Sequence, residues 1–290
     1  MQKLKIALPK GSLQQATMDL FVRAGWEIYL PERSYTPTTN DAELEIMLVR
    51  SQEIPRYVSE GIFDMGITGY DWIKETSAKV KEVGELVYAK SSYRSVRWVL
   101  AAPENSRIRS AKDLEGKRIA TELVNVTKNW LKQRKINAEV EFSWGATEIK
   151  APTLCDAIVE LTETGSSLRA HNLRIIDEIM TSTTRLIANP VSWRSPTKRK
   201  KIENIYLLLK GALQAQSLVG LKMNVPCKAI KDIASLVPGL KKPTISTLSD
   251  PNWIAMEVVV QKEDVRKLIP RLKEKGASGI IEYPLNKVIY

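Results

Sequence analysis

Apolar runs rich in branched side chains, LKIAL, LEIMLV, FDMGI, VRWVLA and RLIA, alternate along the chain with segments whose apolar positions recur every three to four residues. Short continuous runs predict strands buried on both faces, the recurring positions predict amphipathic helices, and their alternation predicts an α/β fold. The first unit carries the clearest signals. Residues 4–8 read as a strand; Ser12 and Gln15 have the spacing of a capping box; Leu13, Ala16, Leu20 and Ala24 mark one helical face before Gly25. The segment PKGS therefore falls between the carboxyl end of a strand and a helix N-terminus, where open α/β sheets commonly bind ligands.

Further on, Pro152, Leu154, Ala157, Ile158 and Leu161 recur at helical spacing, which predicts a helix with Asp156 and Glu160 on one face, four residues apart. The last 75 or so residues have an order of their own. A strand over 218–225 leads to a helix from near Pro226 with Ile230, Ile233, Ala234 and Val237 on one face. Strands near 243–248 and 253–260 follow, then a helix carrying Val265, Leu268, Ile269 and Leu272, which ends at Gly276, and a strand through Ile280 and Ile281. That βαββαβ order predicts a ferredoxin-like domain with its boundary near 210.

Composition narrows the class. The chain has 290 residues, of which 43% are hydrophobic and 27% charged, proportions of a globular protein large enough for two or three domains. No apolar run approaches the ~20 residues of a membrane span. The opening MQKLKIALPKG enters a strand pattern directly, without the apolar core and cleavage site of an export signal, and the expected compartment is the cytoplasm. Two cysteines, Cys155 and Cys227, give neither a disulfide framework nor a zinc site, and a lone histidine, His171, excludes a His-rich metal centre. The net charge of +11 raises nucleic acid as a partner. Most basic residues alternate with acids, however, and the one dense cluster, Lys198 to Lys201, follows Pro196 and reads as a solvated loop. A clear helix-turn-helix or aromatic RNA-binding motif is missing as well, so neither nucleic acid nor a membrane is expected as a partner.

Three segments could carry chemistry. TETGSS, Thr162 to Ser167, surrounds one glycine with hydroxyls directly after Asp156 and Glu160, a composition that serves equally as an ordinary loop and as a cradle for an anion. In GIFDMGITGYDWI, Phe63 to Ile67 reads as a buried strand and Thr68, Gly69, Tyr70 and Asp71 as the turn at its carboxyl end. Thr68 and Asp71 would then face a cleft. Arg50 closes the strand EIMLVR, where its planar fork suits either solvent or phosphate.

Together these segments resemble the ATP phosphoribosyltransferases that start histidine biosynthesis. The resemblance covers nearly the whole chain, in order: KIALPKGSL, LVRSQEIPRYVSEGIFDMGITGYD, KRIATELVNVTKNWL, GATEIKAP, DAIVELTETGSSLRAHNL, GLKMNVP, LVPGLKKPTISTLSDPNWIAMEVVV and GASGIIEYP. The last three are similar to the long form of the family, which carries its own regulatory domain.

The resemblance implies a catalytic part of two lobes like those of type II periplasmic binding proteins, lobe I from residues 1–95 and 181–210 and lobe II from 96–180, followed by the ferredoxin-like domain at 211–290. It implies attack of adenine N1 of ATP on C1 of phosphoribosyl pyrophosphate (PRPP), with Mg2+ present and pyrophosphate leaving. Glu163, Thr164, Gly165, Ser166 and Ser167 are expected around the 5-phosphate of PRPP, Glu160 at the ribose hydroxyls, and Asp156 one turn earlier. Lys10, Arg50 and Asp71 are the expected catalytic residues, with Thr68, Gly69 and Glu148 also lining the cleft. Feedback inhibition by L-histidine is implied at Asn224, Leu240, Thr244 and Gly279, as is assembly into dimers and hexamers. Two positions depart from the family pattern: Glu160 stands where aspartate is common and preserves the carboxylate, and Ser12 stands where arginine often follows KG.

Overall fold

The computed structural model describes residues 3–89, 93–237 and 242–290. They form two compact units, residues 3–22 with 26–206, and residues 23–25 with 207–290.

The first unit holds two five-stranded sheets, and the chain visits them in turn. Strand β1 (Leu4–Lys10), helix α1 (Gln14–Ala24), the short β2 (Ile28–Tyr29) and β3 (Thr38–Thr39), then β4 (Leu44–Arg50), α2 (Ile54–Ser59), β5 (Met65–Gly69), α3 (Tyr70–Thr76) and β6 (Lys81–Leu86) build the first lobe. Ile6, Ala7 and Leu8 are all fully buried because β1 runs parallel between β4 and β5, covered on both faces. In α1, which begins at Gln14, Gln15 Nε2 donates forward to Asp19 (2.8 Å).

The chain then crosses to the second lobe: β7 (Val96–Pro103), β8 (Arg118–Thr121), α4 (Val124–Arg134), β9 (Glu139–Phe142), β10 (Ala157–Thr162), α5 (Ser166–Ala170) and β11 (Leu173–Ser182), with strand order β11-β7-β10-β8-β9. It returns through β12 (Thr184–Ala188), which completes the first sheet as β4-β1-β5-β12-β6, and continues into α6 (Pro190–Arg194) and α7 (Pro196–Gln214). Two lobes joined by two crossings match the architecture expected from the sequence.

Two sequence readings are corrected. The segment read as a helix over 152–161 is strand β10 from Ala157 onward, buried between β7 and β8. Asp156 precedes the strand and Glu160 lies near its far end, so the two carboxylates are not stacked one helical turn apart. The basic run after Pro196 is the first turn of α7, not a loop. Proline is tolerated there because the first N–H groups of a helix have no internal partner. Lys198 Nζ lies 2.7 Å from buried Asp64, Arg199 pairs with Glu203 at 2.8 Å, and Lys201 pairs with Asp41 and Glu43, so three of the four cations serve the fold.

The second unit contains β13 (Leu218–Pro226), α8 (Ile230–Leu236), β14 (Thr244–Thr247), β15 (Trp253–Gln261), α9 (Val265–Glu274) and β16 (Ser278–Pro284). All neighbours in the sheet β14-β15-β13-β16 are antiparallel, the ferredoxin-like order. Val219, Leu221, Met223 and Val225 alternate inward against Val265, Leu268 and Leu272 of α9. On the outer face a Cβ at Gly220 would collide with the Tyr283 ring, which lies across the strand at that point. Among the described residues no helix is long and apolar enough to cross a membrane.

Candidate active site

The parallel register of β1 and β4 pairs Lys10 with Arg50, so two cations end adjacent strands at their carboxyl edge. Like charges in direct register repel, and the arrangement is relieved by a polyanion. Gly11 turns the chain at φ +107°, a conformation that favours glycine, beside Arg50 Nη1. Lys10 Nζ rests 3.3 Å above the Tyr35 ring.

At the end of β5 the expected cleft residues divide. Thr68 is buried and donates its hydroxyl to Ser51 O at 2.8 Å, a packing role that keeps it out of the cavity. Gly69 permits Asp71 to fold back, since a Cβ there would collide with Asp71 Oδ1. Asp71 is only 4% exposed and joins the lobes: Oδ2 accepts from Trp98 Nε1 of β7 at 2.6 Å, Oδ1 accepts from Trp72 N at 3.0 Å, and its own N–H donates to Ser182 Oγ at 3.1 Å. Burial pushes its carboxyl above the usual range, against the pull of these hydrogen bonds. Four residues on, Glu75 accepts from the N–H groups of Asn125 (2.9 Å) and Val126 (3.0 Å), capping α4 of the other lobe. Helix α3 is thus tied to the second lobe at both ends.

Glu160 projects from β10 with Oε1 accepting from Leu161 N at 3.0 Å. Burial, with added repulsion from Glu148 and Glu122, pushes it up to about 7, although Leu161 N and the Thr147 hydroxyl favour the charged form. Thr147 is held in turn by Ser143 (2.8 Å), which accepts from Lys150 Nζ (2.6 Å). Beyond β10, Gly165 takes a left-handed φ of +75° and donates to Thr162 Oγ1 at 2.7 Å. Thr164 donates to Ser166 Oγ (3.0 Å), Ser167 donates to Glu148 Oε1 (2.8 Å), and Arg169 Nη1 donates to Thr164 O (3.1 Å).

A cavity of about 340 Å3 brings Lys10, Arg50, Gly69 and Asp71 of the first lobe together with Glu160 and Glu163 of the second. Ser12 lines it too. Thr164, Gly165, Ser166, Ser167 and Glu148 stand beyond its wall. Asp156 lies at the other end of β10, where its carboxylate accepts from Arg118 N (2.9 Å) and pairs with Lys117 (3.5 Å). Several lining residues escaped the sequence reading, among them Gln52, Tyr88, Arg94, Trp98, Glu122 and Ser182. Glu122, at the end of RIAT, has the strand-end signal that marked Asp71; burial raises its carboxyl, a Gln52 hydrogen bond opposes this, and the Asp71 charge adds to it. Trp98, inside an apolar run, has no such signal. Among the described residues no three His, Cys, Asp or Glu side chains cluster to hold a metal ion.

Of the expected effector positions, Asn224 and Gly279 are neighbours: Gly279 has φ +57°, and a Cβ there would stand 3.4 Å from Asn224 Nδ2. Thr244 sits two strands away on β14, paired with Glu257, and Leu240 lies outside the described residues.

Residues 50–211 match the family model HisG, ATP phosphoribosyltransferase, and residues 215–287 match HisG, C-terminal domain. The chain is 59% identical over 286 residues to the ATP phosphoribosyltransferase of Chlorobium phaeobacteroides, covering 99% of this chain and 97% of the relative. It is 55% identical over 286 residues to that of Thermodesulfovibrio yellowstonii, covering 99% and 98%. Among solved structures, the ATP phosphoribosyl transferase (HisG:HisZ) complex from Thermotoga maritima contains a chain that superposes with a TM-score of 0.61 at 28% identity, over 71% of this chain and 98% of that one.

Proposed function

The chain belongs to the ATP phosphoribosyltransferase family in its long form, transferases of histidine biosynthesis, and from that premise we propose that it transfers the 5-phosphoribosyl group of PRPP to N1 of ATP. The observation that carries this chemistry is that the cavity holds both signs of charge: Lys10, Arg50 and Arg94 stand with Asp71, Glu122, Glu160 and Glu163. As the C1–O bond of PRPP breaks, negative charge grows on pyrophosphate and oxocarbenium character on the ribose. Cations suit the first and carboxylates the second, and placing two bound substrates in line supplies much of the remaining acceleration. N1 uses its own lone pair, so no activated nucleophile of the protein is needed.

Mg2+ commonly binds through one or two carboxylates plus substrate phosphates. The cleft fits that mode, with Glu122 and Glu163 as the carboxylates that would complete a coordination shell brought by pyrophosphate, where the ion would neutralise leaving-group charge. The expected working state is a cytoplasmic homo-oligomer, a dimer or hexamer, inhibited by L-histidine near Asn224, Gly279 and Thr244. Incubation of the whole chain with ATP, PRPP and Mg2+ should yield N1-(5-phosphoribosyl)-ATP, seen by its N1-alkylated adenine absorbance, and L-histidine should suppress it. No product at any Mg2+ concentration overturns the transferase reading; product formation indifferent to L-histidine removes the regulatory part.

The turn after β10 is proposed to take the 5-phosphate on its backbone. Gly165→Val places a branched side chain at φ +75°, where its Cβ would stand 3.0 Å from Arg169 Nη1, and strains the turn by about 1–2 kcal/mol. PRPP affinity should fall roughly 10-fold or more with ATP affinity changed little, as titration calorimetry with each substrate would measure. Equal loss of both would mean general distortion instead.

A further inference from the structure

Trp144 is 92% exposed, and Phe142, 50% exposed, meets it edge to face with ring centroids 4.7 Å apart. Tryptophan is normally among the more buried side chains, so a bare indole braced by a second aromatic ring calls for a ligand. Its place in the fold says which. β8, β9 and β10 run parallel in the order β10-β8-β9, so their carboxyl ends open on one edge of the sheet. Glu122 follows β8, Trp144 follows β9 and Glu163 follows β10. Glu122 and Glu163 line the cavity, and a Cβ on Gly145, the residue after Trp144, would stand 4.0 Å from Glu122 Oε1. The aromatic pair therefore sits on the strand-end edge that also carries Glu122, with neither ring in the lining of the cavity itself.

Size points the same way. About 340 Å3 is at the low end of the roughly 300–1,000 Å3 that enclose one small ligand. A space of that order leaves the rim available to a planar base. Resting on the transferase reading, we infer that Trp144, backed by Phe142, is the stacking platform for the adenine ring of ATP. Stacking on one face leaves the ring edge, with N1, free to point toward the ribose held by the carboxylates. It also accounts for discrimination between a purine nucleotide and a bare polyphosphate, which the cations alone do not provide.

The test compares the whole wild-type chain with Trp144→Ala and Trp144→Phe. ATP binding without PRPP, followed by calorimetry and tryptophan fluorescence, should weaken roughly 5- to 100-fold in the alanine variant. Phenylalanine should recover most of the loss. Inorganic tripolyphosphate, which has phosphates but no base, should bind all three proteins alike, and KM for PRPP should stay within about two-fold, as expected of a substitution on the solvent side. The ATP-dependent quenching of wild-type fluorescence should be reduced in both variants. Unchanged ATP affinity in Trp144→Ala overturns the platform, as does a parallel loss of tripolyphosphate binding. Product formation by the wild type is scored separately: its absence defeats the transferase reading, while the binding comparison still decides the stacking role.

Discussion

Glu160→Gln should stabilise the protein at pH 8 while removing most of its activity. The Glu160 carboxylate stands at the carboxyl half of a buried strand, and burial with Glu148 and Glu122 nearby pushes it up to about 7 from 4.5. The folded state therefore holds the proton more tightly than the unfolded chain. That extra stability is complete below about pH 4.5 and is lost as pH rises through 7. Above pH 7 the ionised group costs about 1–3 kcal/mol, the upper figure being the whole shift and the lower one allowing for partial solvent access. Glutamine keeps the shape and removes the titration. The melting temperature of Glu160→Gln minus that of the wild type should be several degrees at pH 8 and close to zero at pH 4.5. A difference of the same size at both values would show that the carboxylate is not strained by its charge.

Activity should move the opposite way. If Glu160 holds the ribose hydroxyls as its carbon becomes cationic, the neutral amide loses charge stabilisation, and kcat/KM should drop about 100-fold. Wild-type kcat/KM should rise through about pH 7 as Glu160 ionises, and the variant should lose that limb. Stability given up at neutral pH to hold a carboxylate in the cleft is the pattern expected of a catalytic site.

Much of this arrangement was legible in the residues, and the exceptions have physical reasons. LKIAL followed by a glycine turn and an amphipathic helix yields β1 and α1, and the alternation in GLKMNV yields a strand with one buried face. β10 reads as a helix because both of its faces are packed, Ala157 and Val159 in one apolar cluster and Ile158 in another. Ala157, Ile158 and Val159 are all fully buried, which erases the period-two signal and leaves apolar spacings that a helix satisfies equally well. The run after Pro196 was misread because proline marks both loops and first helical turns, and only Asp64, 134 positions from Lys198, decides between them. Within the cavity, Lys10, Arg50 and Asp71 were visible as polar residues closing apolar strands. Glu122 has that same signal at the end of RIAT. Trp98 was invisible because its part in the site depends on one ring nitrogen crossing to the other lobe, which no local pattern encodes.

That crossing makes Asp71 the position where the largest loss is expected on both stability and activity. Alanine at 71 leaves Trp98 Nε1–H and Trp72 N–H without their acceptor in a place that is 4% exposed. Each unsatisfied buried donor costs about 1–3 kcal/mol, so the loss from the pair is about 2–4 kcal/mol after relief of the burial cost that raises the Asp71 carboxyl. The hydrogen bonds win because removing the charge recovers solvation only for Asp71, whereas both donors stay desolvated. Asparagine has one acceptor oxygen for the two donors and turns its NH2 toward the other, so Asp71→Asn should fall about midway. Urea unfolding of the three proteins measures this order, and a red shift of tryptophan emission in Asp71→Ala should accompany it as Trp98 loses its partner. Because Asp71 fixes Trp98 and lies near Ser182 at the crossing between lobes, both substrates should feel the change: kcat should fall about 100-fold or more, with KM raised for ATP and PRPP alike. Wild-type stability in Asp71→Ala would mean that the lobes are positioned without this contact, leaving the cap that Glu75 of α3 provides to α4 to hold them.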